Sequence, residues 1–288
     1  MKKDDLKGLV AFPIIVLIGA LVALAGSQGG SVFAGWPVFA ICVGLAFLVQ
    51  WVVFVPSYLA QTEKFFDITG SLTYIGVTVL AALLSKNVDA RALLLMALVV
   101  IWAIRLGTFL FRRVHRVGKD GRFDEIKPSF PRFLNVWTVQ GLWVAFTAAA
   151  AWAAITSGAR KEIDAFAILG AILWLIGFAI EATADAQKNA FSANAANKGK
   201  FIRTGLWARS RHPNYFGEIL LWVGVALIAL PVLQGWQLFT LISPVFVALL
   251  LIKVSGIPLL EERADKKWGG QPEYEAYKKN TPVLVPKL

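Results

Sequence analysis

Long apolar runs alternate with short polar connections along the whole chain. The apolar stretches cover residues 8–26, 32–59, 65–84, 92–111, 133–155, 165–184, 215–233 and 237–260. Each is long enough for an α-helix to cross a bilayer, and the runs lack the one-sided spacing of helices that pack on a soluble core. The pattern predicts an all-α, polytopic integral membrane helix bundle with eight transmembrane helices. Seven helices, with one stretch re-entrant or interfacial, is the alternative.

The composition supports a membrane protein of one domain. Of the 288 residues, 57% are hydrophobic and 16% are charged, whereas a soluble domain carries about 25% charged residues. No Pro/Gly/Ser-rich linker and no internal repeat divides the chain, so residues 1–288 are predicted to form a single membrane domain. The one cysteine, Cys42, and two histidines far apart in sequence exclude a zinc cluster, and no metal is expected.

The net charge of +11 is distributed unevenly among the loops. With eight helices, the loops on one side of the membrane hold only four Lys or Arg residues: Lys86, Arg91, Arg160 and Lys161. The alternate segments hold nearly all the others, and cytoplasmic loops carry such an excess. We therefore expect both termini to be cytoplasmic. Charge spread over short loops suits membrane lipid better than nucleic acid as a partner.

The densest polar stretch lies at residues 204–218, directly before the seventh apolar run. Pro213 is well placed as the first residue of a helix, and a helix N-terminus behind a basic turn suits phosphate or carboxylate groups. Asn214 and Glu218 would share one face of that helix. The candidate binding residues in this stretch are Arg209, Arg211, His212, Asn214, Tyr215 and Glu218.

Two further polar groups lie at cytoplasmic ends of predicted helices. Asp185 and Lys188 share a stripe with Glu181 at the end of the sixth run, where a structural ion pair is the alternative to a ligand contact. Glu262 lies beside Glu261 where the charged tail begins, and adjacent like charges need a compensating cation or ligand. Asp185, Lys188 and Glu262 are therefore also candidate binding residues.

The third run carries polar groups at membrane depth. Asp67 and Tyr74 are two helical turns apart, and Glu63 lies one turn before Asp67. A carboxyl and a phenol lining one cavity would suit polarisation of a substrate carbonyl. The alternatives are a tyrosine bound to a backbone carbonyl and acids that face the helix dipole. Arg105, inside the fourth run, either reaches the headgroups or pairs with an internal charge.

The connection at residues 112–132 contains a turn signal, Gly118-Lys-Asp-Gly121. The connection would then have a defined turn, and the alternative is a solvated basic loop that touches anionic lipid. Together with residues 62–74, 210–218 and the Glu-Glu-Arg at 261–263, residues 118–125 resemble segments of the bacterial DUF1295 proteins. Those proteins group with the steroid 5-alpha-reductase C-terminal superfamily. The resemblance covers residues 60–285, the reductase-like region.

The resemblance implies a reductase that binds NADPH in a pocket opening to the cytoplasm. It further implies hydride transfer to a conjugated C=C of a hydrophobic, steroid- or lipid-like enone, while a tyrosine and an acid engage the carbonyl oxygen. Matched position by position, the residues that would hold NADPH are Arg105, Asp185, Asn214 and Glu218, with Arg209 and Arg211 suited to the phosphates. The resemblance expects its tyrosine where this chain has Trp102, and Tyr74 is the candidate replacement. Glu63 and Asp67 are the nearest candidates for the acid.

Two other functions stay open. Arg211-His-Pro-Asn-Tyr-Phe-Gly217 is also similar to the R-H-P-x-Y-x-G segment of membrane methyltransferases that act on isoprenylcysteine or phospholipid. There, the basic turn and an acidic pair would hold S-adenosylmethionine. We prefer the reductase, because residues 62–74 and 118–125 have no role in those smaller enzymes. A non-enzymatic lipid-binding scaffold is the third possibility. The preferred reductase lies in the bacterial inner membrane and takes its substrate from the bilayer, and the sequence leaves its oligomeric state open.

Overall fold

A computed structural model of the protein describes residues 3–117 and 121–287. The chain is helical almost throughout, as predicted. The helices are α1 (Lys3–Ser27), α2 (Val38–Leu59), α3 (Phe66–Leu84), α4 (Ala90–Val117), α5 (Phe130–Thr156), α6 (Ala165–Ala193), α7 (Pro213–Ala229), α8 (Ser243–Leu249), α9 (Ile257–Trp268) and α10 (Pro272–Asn280). Two short strands, β1 (Val32–Phe33) and β2 (Trp36–Pro37), form an antiparallel hairpin.

Within the described residues, eight helical segments are long and apolar enough to cross a membrane. The protein is therefore a multi-pass membrane protein with an all-α bundle, and this prediction is confirmed. The second run differs in detail, because residues 32–37 form the hairpin and α2 begins only at Val38. The eighth run is interrupted between α8 and α9 by a π-helical turn at Leu250–Val254. Ser255, Gly256 and Pro258 follow that turn, and proline restarts the helix in the first turn of α9.

The described chain forms two compact units. The first unit comprises Met1–Ala167 and Ile228–Ser243, and the second comprises Ile168–Leu227 and Pro244–Leu288. The prediction of one membrane domain for the full chain stays a prediction.

Helix α5 is the centre of the first unit, where α1, α2, α3 and α4 all pack on it. Its middle turns are rich in alanine, and Ala148–Ala151 are completely buried. Small side chains let neighbouring helices approach closely in a membrane protein. Polar groups are paired inside the unit: Trp152 Nε1 donates to Thr78 Oγ1 at 2.8 Å, and Gln140 Nε2 donates to the Phe66 carbonyl at 2.8 Å.

Arg91 is a buried structural residue of the first unit, with 1% of its surface exposed. Its guanidinium donates to the carbonyl oxygens of Ile228 and Glu162, both at 2.7 Å, and lies 2.9 Å from Asp164 Oδ1. The hydrogen bond from Arg91 holds the pKa of the Asp164 carboxyl well below its usual range. The sequence alone placed Arg91 in a loop and did not indicate this role.

In the second unit, glycines bring α6 and α7 into close contact. A Cβ atom on Gly217 would lie 2.5 Å from the Gly177 carbonyl oxygen, and one on Gly177 would lie 2.5 Å from that of Gly217. Two helical turns further along α7, Gly224 approaches Gly170 of α6 in the same way. The two backbones therefore touch along a stripe on which no side chain fits.

Candidate functional site

The basic turn at residues 209–212 lies where the sequence predicts it. It follows a 3₁₀ segment at Gly205–Ala208, and α7 begins at Pro213, so the predicted helix start is confirmed. Gly205 has a φ of 62°, a left-handed conformation that glycine adopts without steric cost. The Leu206 amide then donates to Gln187 Oε1 at 2.9 Å, which attaches the turn to α6.

The C-terminal residues hold the turn from its other side. The Arg211 amide donates to the Pro282 carbonyl at 2.9 Å, and the Lys287 amide donates to the Arg209 carbonyl at 3.0 Å. Between them, Ser210 Oγ donates to the Leu284 carbonyl at 2.8 Å. Residues 282–287 therefore form a strap that fixes the backbone of the basic turn.

Glu261 of α9 receives two donors from this turn. Arg211 Nη1 forms an ion pair with Glu261 Oε2, and His212 Nε2 lies 2.7 Å from Glu261 Oε1. Charge-assisted hydrogen bonds of this kind fix both partners in orientation. The adjacent acids Glu261 and Glu262 predict a compensating cation, with Arg211 among the candidates, and Arg211 pairs with Glu261 across 50 positions of sequence.

Burial sets the protonation state of His212. The loss of solvent lowers the pKa of His212 below its ordinary value of 6.5, and the hydrogen bond to Glu261 opposes this shift in part. The neutral ring donates from Nε2 to the carboxylate, which leaves Nδ1 as an acceptor. In the described part of the chain, the buried Nδ1 of His212 and Nε of Arg211 have no hydrogen-bond partner.

Arg211, His212 and Glu261 form a polar cluster, and helices α6 and α7 add a second polar pair to it. Asn214 Nδ2 donates to Asp185 Oδ1 at 3.2 Å, and Asp185 is buried. Tyr215 stacks on His212, with ring centroids 5.6 Å apart and planes at 9°. Glu218 is half-buried one turn further along α7. The predicted residues Asp185, Asn214 and Tyr215 are thus brought together with the basic turn.

A cavity of about 270 Å³ opens beside the cluster, entirely within the second unit. Its lining combines four cations, one acid and five aromatic rings. The charged residues are Lys188, Arg211, Glu261, Arg263 and Lys267, and the rings are Phe201, Trp207, Trp268, Tyr274 and Tyr277. His212 completes the polar part of the wall.

The aromatic wall is held by its own hydrogen bonds. Trp207 Nε1 donates to the Ala184 carbonyl at 3.0 Å, and Tyr277 OH donates to the Trp207 carbonyl at 2.7 Å. Burial raises the pKa of Tyr277 to about 12, so the phenol stays protonated and keeps donating. Lys188 Nζ lies 4.6 Å from the centre of the Trp207 ring, within the range of a cation–π contact.

The lining of this cavity does not include the predicted binding residues Arg209, Glu262 and Arg105. Arg209 is exposed and is not part of the lining. Glu262 is also exposed and pairs with Lys266 on the surface of α9 at 2.5 Å. Arg105 belongs to the first unit, half-buried on α4 and 5.6 Å from the ring of Phe109.

The predicted catalytic residues all lie in the first unit. Tyr74 is buried on α3, and its ring packs edge-on against Trp102 of α4 with centroids 5.1 Å apart. Asp67 is half-buried in the first turn of α3. Glu63 lies before that helix, 5% exposed, and pairs with Lys127 Nζ at 2.5 Å. The paired carboxylate is a hydrogen-bond acceptor there.

The connection after α4 is described only in part. The predicted turn at residues 118–121 falls largely on residues 118–120, which lie outside the described residues. After it, Phe123 is buried and packs edge-on against Phe66, with centroids 5.1 Å apart. Together with the Lys127–Glu63 pair, this ring holds residues 121–127 against the start of α3.

The sequence did not single out four of the aromatic residues in the cavity wall. Phe201, Trp268, Tyr274 and Tyr277 stand in otherwise polar segments, where large aromatic side chains are unusual on a purely solvated surface. This contrast between aromatic residues and their polar surroundings was the signal that could have indicated a cluster. Their clustering depends on α9 and α10 folding back over the connection between α6 and α7.

Comparison with known proteins gives one family match. The profile of a family described as "Protein of unknown function (DUF1295)" matches residues 53–281. An uncharacterized protein of Schizosaccharomyces pombe is 24% identical over 236 residues. The aligned region covers 71% of this chain and 66% of the yeast protein, just under two thirds of its length. No solved structure matches the chain.

Proposed function

The chain belongs to the DUF1295 family, and we propose that it is a membrane reductase that uses NADPH to reduce a conjugated C=C of a hydrophobic enone. The observation that carries the proposal is the cavity of about 270 Å³ in the second unit, with four cations and five aromatic rings in its wall. The predicted residues Lys188, Arg211 and His212 belong to that wall, and Asp185 and Asn214 pair beside it.

The lining has the chemistry that a nucleotide requires. Arg211, Arg263 and Lys267 supply charge-assisted donors for phosphate oxygens, while the half-buried ring of Trp268 is suited to stack with a base. The buried Arg211 Nε and His212 Nδ1, which have no partner in the described part, supply a further donor and an acceptor. A volume of about 270 Å³ suits one nucleotide half of a dinucleotide.

When bound, NADPH supplies a hydride for the β-carbon of the enone, and the reaction consumes one proton, which the α-carbon receives. The chain's own contribution is binding, orientation and exclusion of water. We assign Tyr74 as the donor that hydrogen-bonds the carbonyl oxygen, because its phenol is buried and such a bond strengthens in low dielectric. Asp67 is the second candidate, while Glu63 is engaged by Lys127.

The membrane in which the protein lies and its orientation there are also proposals. We propose the cytoplasmic membrane of a bacterium, with both termini and the nucleotide cavity on the cytoplasmic side. The Lys/Arg asymmetry of the loops supports this orientation. An apolar substrate would then enter from the bilayer and the nucleotide from the cytoplasm.

One observation favours a second candidate, an S-adenosylmethionine-dependent methyltransferase. Glu261 binds both Arg211 and His212, which is the combination of basic turn and acidic pair that the methyltransferase resemblance expects. The reductase remains our preferred proposal, because segments 62–74 and 118–125 have no role in the methyltransferase.

A thermal-shift titration of the detergent-purified protein tests the proposal. NADPH should raise the melting midpoint by mass action, and Arg263→Gln should weaken this shift because Arg263 is exposed and lines the cavity. Arg203→Gln is the matched control, since Arg203 forms a surface pair with Glu273. A shift with S-adenosylmethionine and none with NADPH would favour the methyltransferase, and no shift with either would favour the scaffold.

A further inference from the structure

The sequence predicts four cations on the membrane side opposite the basic segments, and the structure uses two of them, Arg91 and Lys161, in ion pairs. Arg91 is buried against Asp164 and three backbone carbonyls, and Lys161 lies 3.1 Å from Asp164 Oδ2. Lys86 and Arg160 remain. Within residues 3–117 and 121–287, neither has a carboxylate at ion-pair distance.

These two remaining cations line the same cavity of the first unit. Its volume is about 210 Å³. The lining residues are Gly30, Ser31, Val32, Lys86, Asn87, Ser157, Gly158 and Arg160. No carboxylate belongs to this lining, so the cavity has a net positive wall and suits an anion.

The wall of this cavity is held in shape by the backbone. The Ser31 amide donates to the Thr156 carbonyl at 2.6 Å, and the Gly158 amide donates to the Gly29 carbonyl at 2.9 Å. Ser157 is buried, and its hydroxyl donates to the Val232 carbonyl at 2.8 Å. A site with a fixed wall loses little conformational freedom when a ligand binds.

The guanidinium of Arg160 is only partly used in hydrogen bonds to the protein. Its Nη atoms donate to the carbonyls of Ala154, Ile155 and Ala159 at 3.2 to 3.4 Å, at the end of α5. Its buried Nε has no hydrogen-bond partner in the described part. A guanidinium bound only to neutral carbonyls keeps its full charge, and the planar fork favours tetrahedral oxyanions such as phosphate.

The rim of the cavity is apolar and exposed. Val32 belongs to the lining, and its hairpin carries Phe33 and Trp36, which are 49% and 69% exposed. Aromatic side chains of this kind are enriched where a membrane meets water. We therefore expect the cations beside this rim to lie near lipid headgroups, and basic pockets between helices bind anionic lipids.

We propose that this cavity binds a phosphate group, held by Lys86 and Arg160. The phosphate belongs either to an anionic phospholipid of the surrounding leaflet or to free inorganic phosphate. The site lies wholly in the first unit and is independent of the nucleotide cavity, so it stands or falls separately from the proposed reductase.

The test measures melting midpoints of the full-length protein in mixed micelles. One series contains phosphatidylglycerol, a second contains phosphatidylcholine with the same acyl chains, and a third contains inorganic phosphate in plain detergent. Lys86→Gln is the main variant, because Lys86 is exposed and we expect the protein to fold without it. It should weaken the apparent affinity about fivefold, the effect of one lysine near an anionic headgroup.

Two further variants separate the site from general charge. Lys161→Gln removes the same charge from the neighbouring loop, where Lys161 pairs with Asp164, and should leave the affinity unchanged. Arg160→Lys keeps the charge but loses the planar fork, and should weaken binding if the protein folds.

Each outcome decides the proposal. A shift with phosphatidylglycerol that Lys86→Gln weakens identifies a lipid phosphate, and a shift with inorganic phosphate alone identifies a free anion. Equal shifts with both lipids, equal shifts in the wild type and Lys86→Gln, or no shift with any ligand would overturn it.

Discussion

The ring of Tyr74 packs edge-on against the ring of Trp102, with centroids 5.1 Å apart and planes at 85°. The contact joins α3 to α4 inside the first unit. It links the candidate tyrosine of this chain to the position where the family resemblance expects one. A phenol carried by α3 therefore lies beside that position on α4, which is what a replacement from a neighbouring helix requires.

The Tyr74–Trp102 contact yields a prediction for the proposed reaction. Tyr74→Phe should reduce NADPH-dependent enone reduction by about 10²-fold or more, the usual contribution of a positioned proton donor, with little change in melting midpoint. Rates of NADPH oxidation measure it. Moving the hydroxyl across the contact, in Tyr74→Phe with Trp102→Tyr, should recover part of the rate. Full activity of Tyr74→Phe alone would remove Tyr74 from the mechanism.

Asn214 is expected to support the nucleotide through Asp185. Asn214→Ala removes the donor 3.2 Å from the buried Asp185 Oδ1, so the carboxylate loses a partner that orients it. We expect nucleotide affinity to fall about tenfold, as for loss of a hydrogen bond to a charged group. Fluorescence titration with NADPH measures it, and Arg203→Gln again serves as the control. An unchanged affinity would place the cofactor elsewhere.

His212 should make stability depend on pH. Its pKa is lowered in the folded state, so the unfolded chain binds more protons as the pH falls below 6.5. The stabilisation is complete above about pH 6.5 and is lost as the pH falls towards the folded-state pKa, with a slope of at most about 1.4 kcal/mol per pH unit for one proton. Melting midpoints between pH 8 and 5 measure it, and His212→Gln should flatten the profile. An equally steep profile in that variant would assign the effect to other groups.

The α6–α7 contact depends on Gly217. A Cβ there would meet backbone atoms of Gly177 and Glu181 at 2.5 and 2.6 Å, and backbone atoms cannot move aside locally. Gly217→Ala should therefore lower the free energy of unfolding of the protein by about 1–3 kcal/mol, which would appear as a lower melting midpoint. Gly76→Ala in α3 is the matched control, because nothing lies within 4 Å of its added methyl group. Equal midpoints for the two variants would contradict the close approach.

Arg91 should be essential to the fold of the first unit. Arg91→Met leaves the carbonyls of Ile228 and Glu162 without their donor, at a cost of about 1–3 kcal/mol for the buried Ile228 acceptor. We expect a large loss of melting midpoint and of yield after purification. Lys161→Gln, which removes an exposed partner of the same Asp164, should change the midpoint little. A stable Arg91→Met variant would show that water or backbone movement replaces these bonds.

The sequence was sufficient for the features that depend on neighbouring residues. Eight apolar runs become membrane-spanning helical segments because hydrophobicity over about 20 residues is a local property. Pro213 begins α7 for an equally local reason, since its ring lacks the N–H that a helix start does not use. The family could also be identified from short segments, because each is contiguous in the chain.

Only the tertiary structure decided which polar groups meet. Glu261 reaches Arg211 and His212 across about 50 residues, and residues 282–287 bind the backbone of the same turn. The sequence places both Arg91 and Arg160 in predicted loops. In the structure, Arg91 is buried and binds backbone carbonyls, whereas Arg160 lines a cavity. A charge in a sequence shows a need for a partner, but the partner is set by how distant helices pack, and that packing is not encoded near either residue.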